Sequence, residues 1–303
     1  MSSRPSRLAA VGEALLVNFI WASSFVLVKI ALQDFGPLTL GGLRYFLGFV
    51  VLIPFLAARV RLLRLSGRTW KRLLILGVCA YTLGNGTTFW ALQSLSATTV
   101  SLLMSLVTLL VLLGGTVWLG EIPTPLQVVG VVVTLGGMVL FFSGGIRASE
   151  PLGLAVMFLG LLAFAAFGLL GRDSARAGET DSLTLTAIPL ALGGGLLLLI
   201  ALPLEGWPRA PLPVWGLVLW LAAVNTALGY LIYNHALQTL PAFEMNLLLS
   251  LSPIWTALMS ALVFAEQLTG HQWTAILIVI GGVGLVQMRP KPPCSHTPPL
   301  PSR

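Results

Sequence analysis

Apolar residues along the chain fall into blocks of the length that crosses a bilayer as a helix, about 20 residues. Ten such blocks follow one another, over residues 10–32, 38–58, 71–94, 97–119, 125–143, 151–171, 182–203, 213–238, 242–264 and 271–288. Turn formers and charges mark the breaks, as in Asp34-Phe35-Gly36-Pro37, Glu121-Ile122-Pro123-Thr124-Pro125 and Leu202–Pro213. No long polar segment separates the blocks, so the pattern predicts an all-α polytopic membrane protein with ten transmembrane helices. The first block follows Arg4 and Arg7 and is longer than a signal-peptide core of about 7–15 residues. No small-residue cleavage motif follows it, so an uncleaved first span is expected. The Pro-rich tail from Arg289 is expected to be disordered.

The same pattern occurs twice. Trp70–Phe142 realigns without a gap on Trp215–Gln287. Ala91-Leu92-Gln93-Ser94-Leu95 meets Ala236-Leu237-Gln238-Thr239-Leu240, Glu121 meets Glu266, Gln127 meets Gln272, and Gly136-Gly137 meets Gly281-Gly282. A weaker echo sets Ala22–Lys29 on Ala165–Arg172. The chain therefore divides into a short N-terminus over 1–9, a first five-helix repeat over 10–143, a second over 150–288 and a tail over 289–303. Five is odd, so the two repeats are expected to cross the membrane in opposite directions. Inverted repeats around a central, midplane cavity are a transporter plan.

Composition agrees with the pattern and changes the meaning of the charge. Hydrophobic residues make up 56% and charged residues only 9%, with a mean hydropathy of +0.93; a soluble surface needs about 25% charged. The net charge of +7 is thus no nucleic-acid signal, and its distribution carries the information. With the N-terminus inside, the inner segments hold Arg4, Arg7, Arg59, Arg61, Arg64, Arg68, Lys71, Arg72, Arg172, Arg176, Arg289, Lys291 and Arg303. The outer segments hold Lys29, Arg147 and Arg209. Both termini are expected to be cytoplasmic, with the protein multi-pass in the inner (plasma) membrane. Cys79 and Cys294 share no framework of spacings, so no disulfide is expected.

At this point a family resemblance emerges from particular residues. They are Asn18-Phe19-Ile20-Trp21-Ala22-Ser23-Ser24-Phe25, Leu43-Arg44-Tyr45-Phe46, Ala91-Leu92 with its copy Ala236-Leu237, and Gly120-Glu121 with Ala265-Glu266. In this order, over residues 10–288, the chain resembles the EamA-type members of the drug/metabolite transporter superfamily. That resemblance implies ten helices around a cavity lined mainly by spans one, three, four, six, eight and nine. It also implies export, or sometimes import, of amino acids, other small metabolites or drugs. The chain makes two departures from the family pattern: Thr108 stands where span four often carries a proline, although its copy Pro253 is kept, and Ile122 and Gln267 stand where a basic residue often follows the Glu.

Helical spacing points to a cavity independently. Residues three and four apart share a face. Tyr81, Asn85, Thr88 and Phe89 fall together in span three, and Thr226, Tyr230, Tyr233 and Asn234 in span eight. Ser101, Ser105 and Thr108 align in span four, Asn246, Ser250 and Pro253 in span nine, and Asn18, Trp21, Ala22 and Phe25 in span one. Polar groups avoid lipid and so face the bundle interior, either lining the cavity or binding helix to helix. Ser101, Ser105 and Ser250 suit the binding role, and the Tyr/Asn cluster suits a neutral, aromatic pocket.

Charges within spans are few. Arg44 lies six residues into span two, and its stem is expected to snorkel to the outer interface; the alternative is a buried partner for helix-end carbonyls or a substrate carboxylate. Lys29 at the end of span one is an interfacial anchor or an external attractor of anions. Glu121 and Glu266 close spans four and nine as loop fasteners or gate elements. No Asp or Glu falls in mid-span, so a proton-coupling carboxylate is missing; Glu13 and Glu244 lie near cytoplasmic ends. His235 lies off the polar stripe near the cytoplasmic interface, where an amphipathic ring is ordinary, and a proton role is the alternative. Three scattered histidines, 235, 271 and 296, suggest no metal site, and no cofactor is expected.

The sequence thus predicts a secondary transporter, not an enzyme, acting as an exporter of small metabolites such as neutral or aromatic amino acids by alternating access. The alternatives are a broad drug or toxicant exporter, and more distantly a membrane enzyme or a scaffold. No metalloprotease, nucleophile-elbow or phosphate-loop motif is present. The expected partners are the solute and the bilayer, not nucleic acid, with the paired glycines packing within the fold or at a homodimer contact.

Overall fold

A computed structural model of the chain describes residues 5–57, 65–119, 123–144, 150–177, 182–240 and 242–288. Every regular element in these residues is helical. The helices are α1 (Arg7–Ala31), α2 (Pro37–Ala57), α3 (Gly67–Ala91), α4 (Ala97–Met104 and Leu106–Leu119) and α5 (Pro125–Phe141). They continue as α6 (Glu150–Ala177), α7 (Ser182–Glu205), α8 (Leu212–Ala236), α9 (Ala242–Leu249 and Ser252–Phe264) and α10 (Gly270–Gln287). Nine have the length and hydropathy to cross a membrane, and α5 is the shorter tenth. The molecule is a ten-helix membrane protein. Its helix starts differ from the apolar blocks by a few residues; α1 begins at Arg7, where Ser6 Oγ accepts from Ala9 N and caps the first turn.

Helix ends are satisfied by residues that the repeat preserves. Thr124 N donates to Gln127 Oε1 over 2.9 Å at the start of α5. In the second copy Thr269 N donates to Gln272 Oε1 over 3.0 Å at the start of α10. The matching glutamines are therefore N-terminal capping residues. Gln127 also reaches across, Nε2 donating to Val286 O over 3.2 Å. At the start of α2, the Glu205 carboxylate accepts from Leu38 N and Thr39 N over 3.1 and 2.8 Å. An anion at a helix N-terminus is favoured by the macrodipole.

Packing between the halves follows an exchange rule. Helix α1 packs on α8 and α9, and α6 packs on α3 and α4. The other principal contacts join α2 to α7 and α8, α3 to α7, and α5 to α10. Replacing each helix by its counterpart in the other repeat leaves this set of contacts unchanged. The α5–α10 contact is close because side chains are absent from it: a Cβ on Gly282 would lie 2.6 Å from Thr134 N, and one on Gly130 would lie 2.6 Å from Val286 N. Of the two Gly-Gly pairs, Gly137 and Gly282 serve this internal contact, while Gly136 and Gly281 face open space.

The outward surface is apolar. Val117 and Leu262, equivalent positions of the two repeats, are 89% and 86% exposed. Exposed aliphatic faces of this kind are a liability in water and the right surface for lipid.

Two irregularities recur at matched positions. A π-helical turn runs over Val78–Asn85 in α3 and over Ala223–Leu228 in α8, starting at equivalent residues. Such turns release carbonyls from the helical ladder. Side chains take them up: Asn85 Nδ2 donates to Ala80 O over 2.7 Å, and Thr226 Oγ1 donates to Leu221 O over 3.0 Å. The second irregularity divides α4 at Ser105 and α9 at Ser250–Leu251. Pro253 sits in the first turn after the α9 break, but the α4 break forms with no proline in span four. The departure at Thr108 therefore does not remove the interruption.

Candidate functional site

A cavity of ≈ 190 Å³ lies in the middle of the bundle, walled by α1, α2, α3, α4, α6 and α8. Of the residues picked from helical spacing, Trp21, Phe25, Asn85, Thr88, Phe89, Thr226 and Tyr230 line it. Their faces converge because the π turns of α3 and α8 carry Asn85 and Thr226. Six rings line the cavity, those of Trp21, Phe25, Tyr45, Phe89, Phe164 and Tyr230. The Trp21 ring lies 5.4 Å from Tyr230 and 5.3 Å from Tyr233, and Tyr45 lies 4.9 Å from Tyr81 and 6.0 Å from Phe89.

Spacing alone missed Ser24, Tyr45, Met104, Phe164 and Asn225, which also line the cavity. Asn225 escapes a regular helical count because the π turn adds a residue, so that neighbours Asn225 and Thr226 both face inward. Its Nδ2 donates to Ile20 O and, over 3.0 Å, to Ser23 Oγ, while its buried Oδ1 has no hydrogen-bond partner. Tyr45 donates to Asn85 Oδ1 over 2.6 Å. Contrary to the set implied by the family resemblance, α2 contributes to this cavity and α9 does not.

Arg44 requires the main correction. The snorkelling expectation fails: the residue is 5% exposed and lines the cavity. Nε donates to Thr226 Oγ1 over 3.0 Å, and an Nη1 hydrogen goes to Ser24 Oγ. The guanidinium carbon stands 5.2 Å from the Tyr45 ring and 5.7 Å from the Phe89 ring. The physical reason is local. One turn on from Arg44, Gly48 lets α8 close in, and a Cβ there would lie 2.8 Å from Thr226 Cγ2. The side chain is thereby drawn inward to the Thr226 hydroxyl, away from the interface.

Other picked residues are placed outside this cavity's lining. Asn18 is buried and donates to Leu248 O over 2.8 Å, binding α1 to the first half of α9. Tyr81 is buried behind the wall and donates to Tyr230 Oη over 3.1 Å. Asn234 Nδ2 donates to Thr186 Oγ1 over 3.3 Å. Asn246 is exposed and outside the cavity lining, which corrects its assignment to the pocket: it stands near the start of α9, where a polar side chain can meet water. Ser105 lies at the α4 break, Ser250 Oγ donates to Leu247 O of its own helix over 2.7 Å, and Pro253 is buried beyond the α9 break. Ser101 Oγ does join helices, accepting from Thr256 Oγ1 over 3.1 Å.

Pairs of ionisable side chains lie toward the two ends of the bundle. At one end Lys29 Nζ lies 3.7 Å from Glu266 Oε1 and donates to Leu95 O over 2.9 Å. Glu266 also accepts from Thr98 Oγ1 over 3.2 Å. This cluster ties α1 to both the α3–α4 and α9–α10 connections. At the other end His235 Nδ1 lies 2.9 Å from Glu13 Oε1, and Arg7 lies 2.9 Å from Glu244. Glu121 lies outside the described residues. Among the described residues no cluster of His, Cys, Asp and Glu could hold a metal ion.

Two successive stretches, residues 9–143 and 151–288, each match the EamA-like transporter family. The chain belongs to that family. It is 29% identical over 280 residues to an uncharacterized transporter of Archaeoglobus fulgidus, covering 89% of this chain and 94% of that one. It is 22% identical over 285 residues to the uncharacterized inner membrane transporter YedA of Escherichia coli, covering 93% and 91%. An S-adenosylmethionine/S-adenosylhomocysteine transporter of Chlamydia trachomatis is 28% identical over 250 residues, covering 79% and 76%. A solved crystal structure shares the fold with a TM-score of 0.68 at 20% identity, covering 94% of this chain and 98% of that one. The EamA-like chain is thus a membrane transporter whose two family units meet around one cavity.

Proposed function

We propose that this EamA-like protein is a secondary transporter that exports small metabolites, neutral or aromatic amino acids foremost, across the inner membrane. The observation that carries the reading is the central cavity, lined by rings, neutral polar groups and the Arg44 guanidinium, with both repeats contributing. Opposed five-helix repeats, with both termini cytoplasmic, would expose it to the two sides in turn by rocking against each other. The Lys29–Glu266 and His235–Glu13 clusters stand at opposite ends of this path and would serve as its two closures.

Size argues for a small solute. Drug-sized ligands occupy pockets of about 300–1,000 Å³, well above the ≈ 190 Å³ available in this conformation. The Chlamydia trachomatis relative is named for a solute that itself contains an α-amino-acid group. The sequence carries no nucleotide-binding motif, which suits a transporter that does not itself hydrolyse ATP.

Purified full-length protein in liposomes, given a panel of labelled amino acids with and without a pH gradient, tests the reading. Saturable movement of neutral or aromatic members is expected. Movement of none of them above protein-free liposomes contradicts it.

A further inference from the structure

We infer that Arg44 is the anion-binding group of the transport site and that it holds the carboxylate of the solute. This inference rests on the amino-acid reading above and adds the point at which such a solute is recognised.

A guanidinium carries five N–H donors and remains charged at any pH a protein meets. Within the described residues Arg44 uses them on two neutral hydroxyls, those of Thr226 and Ser24, and meets no carboxylate. A glutamine amide could brace two hydroxyls with no buried charge. Withdrawing a cation from water costs several kcal/mol that neutral partners do not recover, and the Tyr45 and Phe89 faces offset part of it. An uncompensated cation on a cavity wall is therefore a site awaiting an anion.

The chemistry of the wall selects the anion. The guanidinium fork pairs two parallel N–H groups with the two oxygens of a carboxylate. Around it the lining holds no second cation to neutralise a dianion such as a phosphate monoester. Asn225, beside Thr226, supplies an unpartnered Oδ1 that suits an ammonium donor, and Trp21 and Tyr230 supply faces for a cation or an apolar side chain. One carboxylate, one ammonium and one apolar group together describe a zwitterionic amino acid.

The test uses the full chain in lipid nanodiscs, with L-phenylalanine and L-phenylalaninamide as probes that differ only in the carboxylate. The wild type should bind the acid roughly 10- to 100-fold more tightly than the amide, the range for a buried charge-assisted pair. Arg44→Gln should abolish that preference, weakening the acid and leaving the amide within about twofold. Arg44→Lys, which keeps the charge without the fork, should fall between and guards against a folding failure of the glutamine variant. Equal binding of acid and amide by the wild type overturns the Arg44 assignment while the amino-acid reading stands. An undiminished preference for the acid in Arg44→Gln does the same. A wild type that binds neither probe, and no other amino acid of the panel, overturns both readings together.

Discussion

Arg44 Nε donates to Thr226 Oγ1 over 3.0 Å, joining the second helix of one repeat to the third helix of the other. The same hydroxyl donates to Leu221 O, the carbonyl released by the π turn of α8. One side chain thus holds a strained helix and a buried cation. Thr226→Val keeps the shape and removes both bonds. It is expected to lower stability by about 1–3 kcal/mol, and Thr226→Ser to restore most of it. Thermal unfolding in detergent checks this, and equal melting of the valine variant and wild type would refute it.

The Lys29–Glu266 pair is 27% and 20% exposed, so water screens it only in part. A double-mutant cycle with Lys29→Met and Glu266→Gln should give a coupling of about 1 kcal/mol. The coupling should shrink as salt is raised from 0.01 to about 1 M, where the screening length falls to roughly 3 Å. Strict additivity of the two changes would show that the contact contributes nothing.

The loop carrying Glu266 contains a strained residue. Ala265 adopts φ 52°, a left-handed conformation that costs a non-glycine residue about 1–2 kcal/mol. Its counterpart in the first repeat is Gly120. Ala265→Gly is expected to raise stability by about 1 kcal/mol, read as a higher melting temperature. A lower one would show that the alanine methyl has a packing role.

The paired glycines differ in consequence. Gly282→Ala drives a methyl into the Thr134 backbone and should cost about 1–3 kcal/mol or prevent folding. Gly281→Ala meets nothing within 4 Å and should gain up to about 1 kcal/mol from helix propensity. Fluorescence-detected size-exclusion chromatography after a heat step ranks the two; equal behaviour would contradict the close α5–α10 contact.

Much of this was legible in the sequence, for identifiable reasons. Lipid demands long apolar blocks, so the ten helices follow from composition and turn residues. The Gln127/Gln272 match is visible as a repeat, although its capping role needs the backbone. Four of the six rings of the wall, Trp21, Phe25, Phe89 and Tyr230, follow from helical spacing in α1, α3 and α8. Asn225 does not, because a π turn breaks the 3.6-residue count that the reading uses. Depth in span two, all that a sequence gives for Arg44, points it to the interface. Its burial depends on Gly48 admitting Thr226 from a helix far along the chain. Helical count puts Asn246 on one face with Ser250 and Pro253, and cannot tell that it is exposed near the start of α9.

Access to the central cavity from both membrane faces is the most direct measure of the account. In a Cys79→Ala, Cys294→Ala background, Thr88→Cys places one thiol on the cavity wall. Its labelling by an impermeant thiol reagent is then followed in right-side-out and inside-out vesicles. The account predicts labelling in both, slowed in both by a transported amino acid. Labelling from one side alone, with the same rate whether or not the amino acid is present, would contradict alternating access to this site.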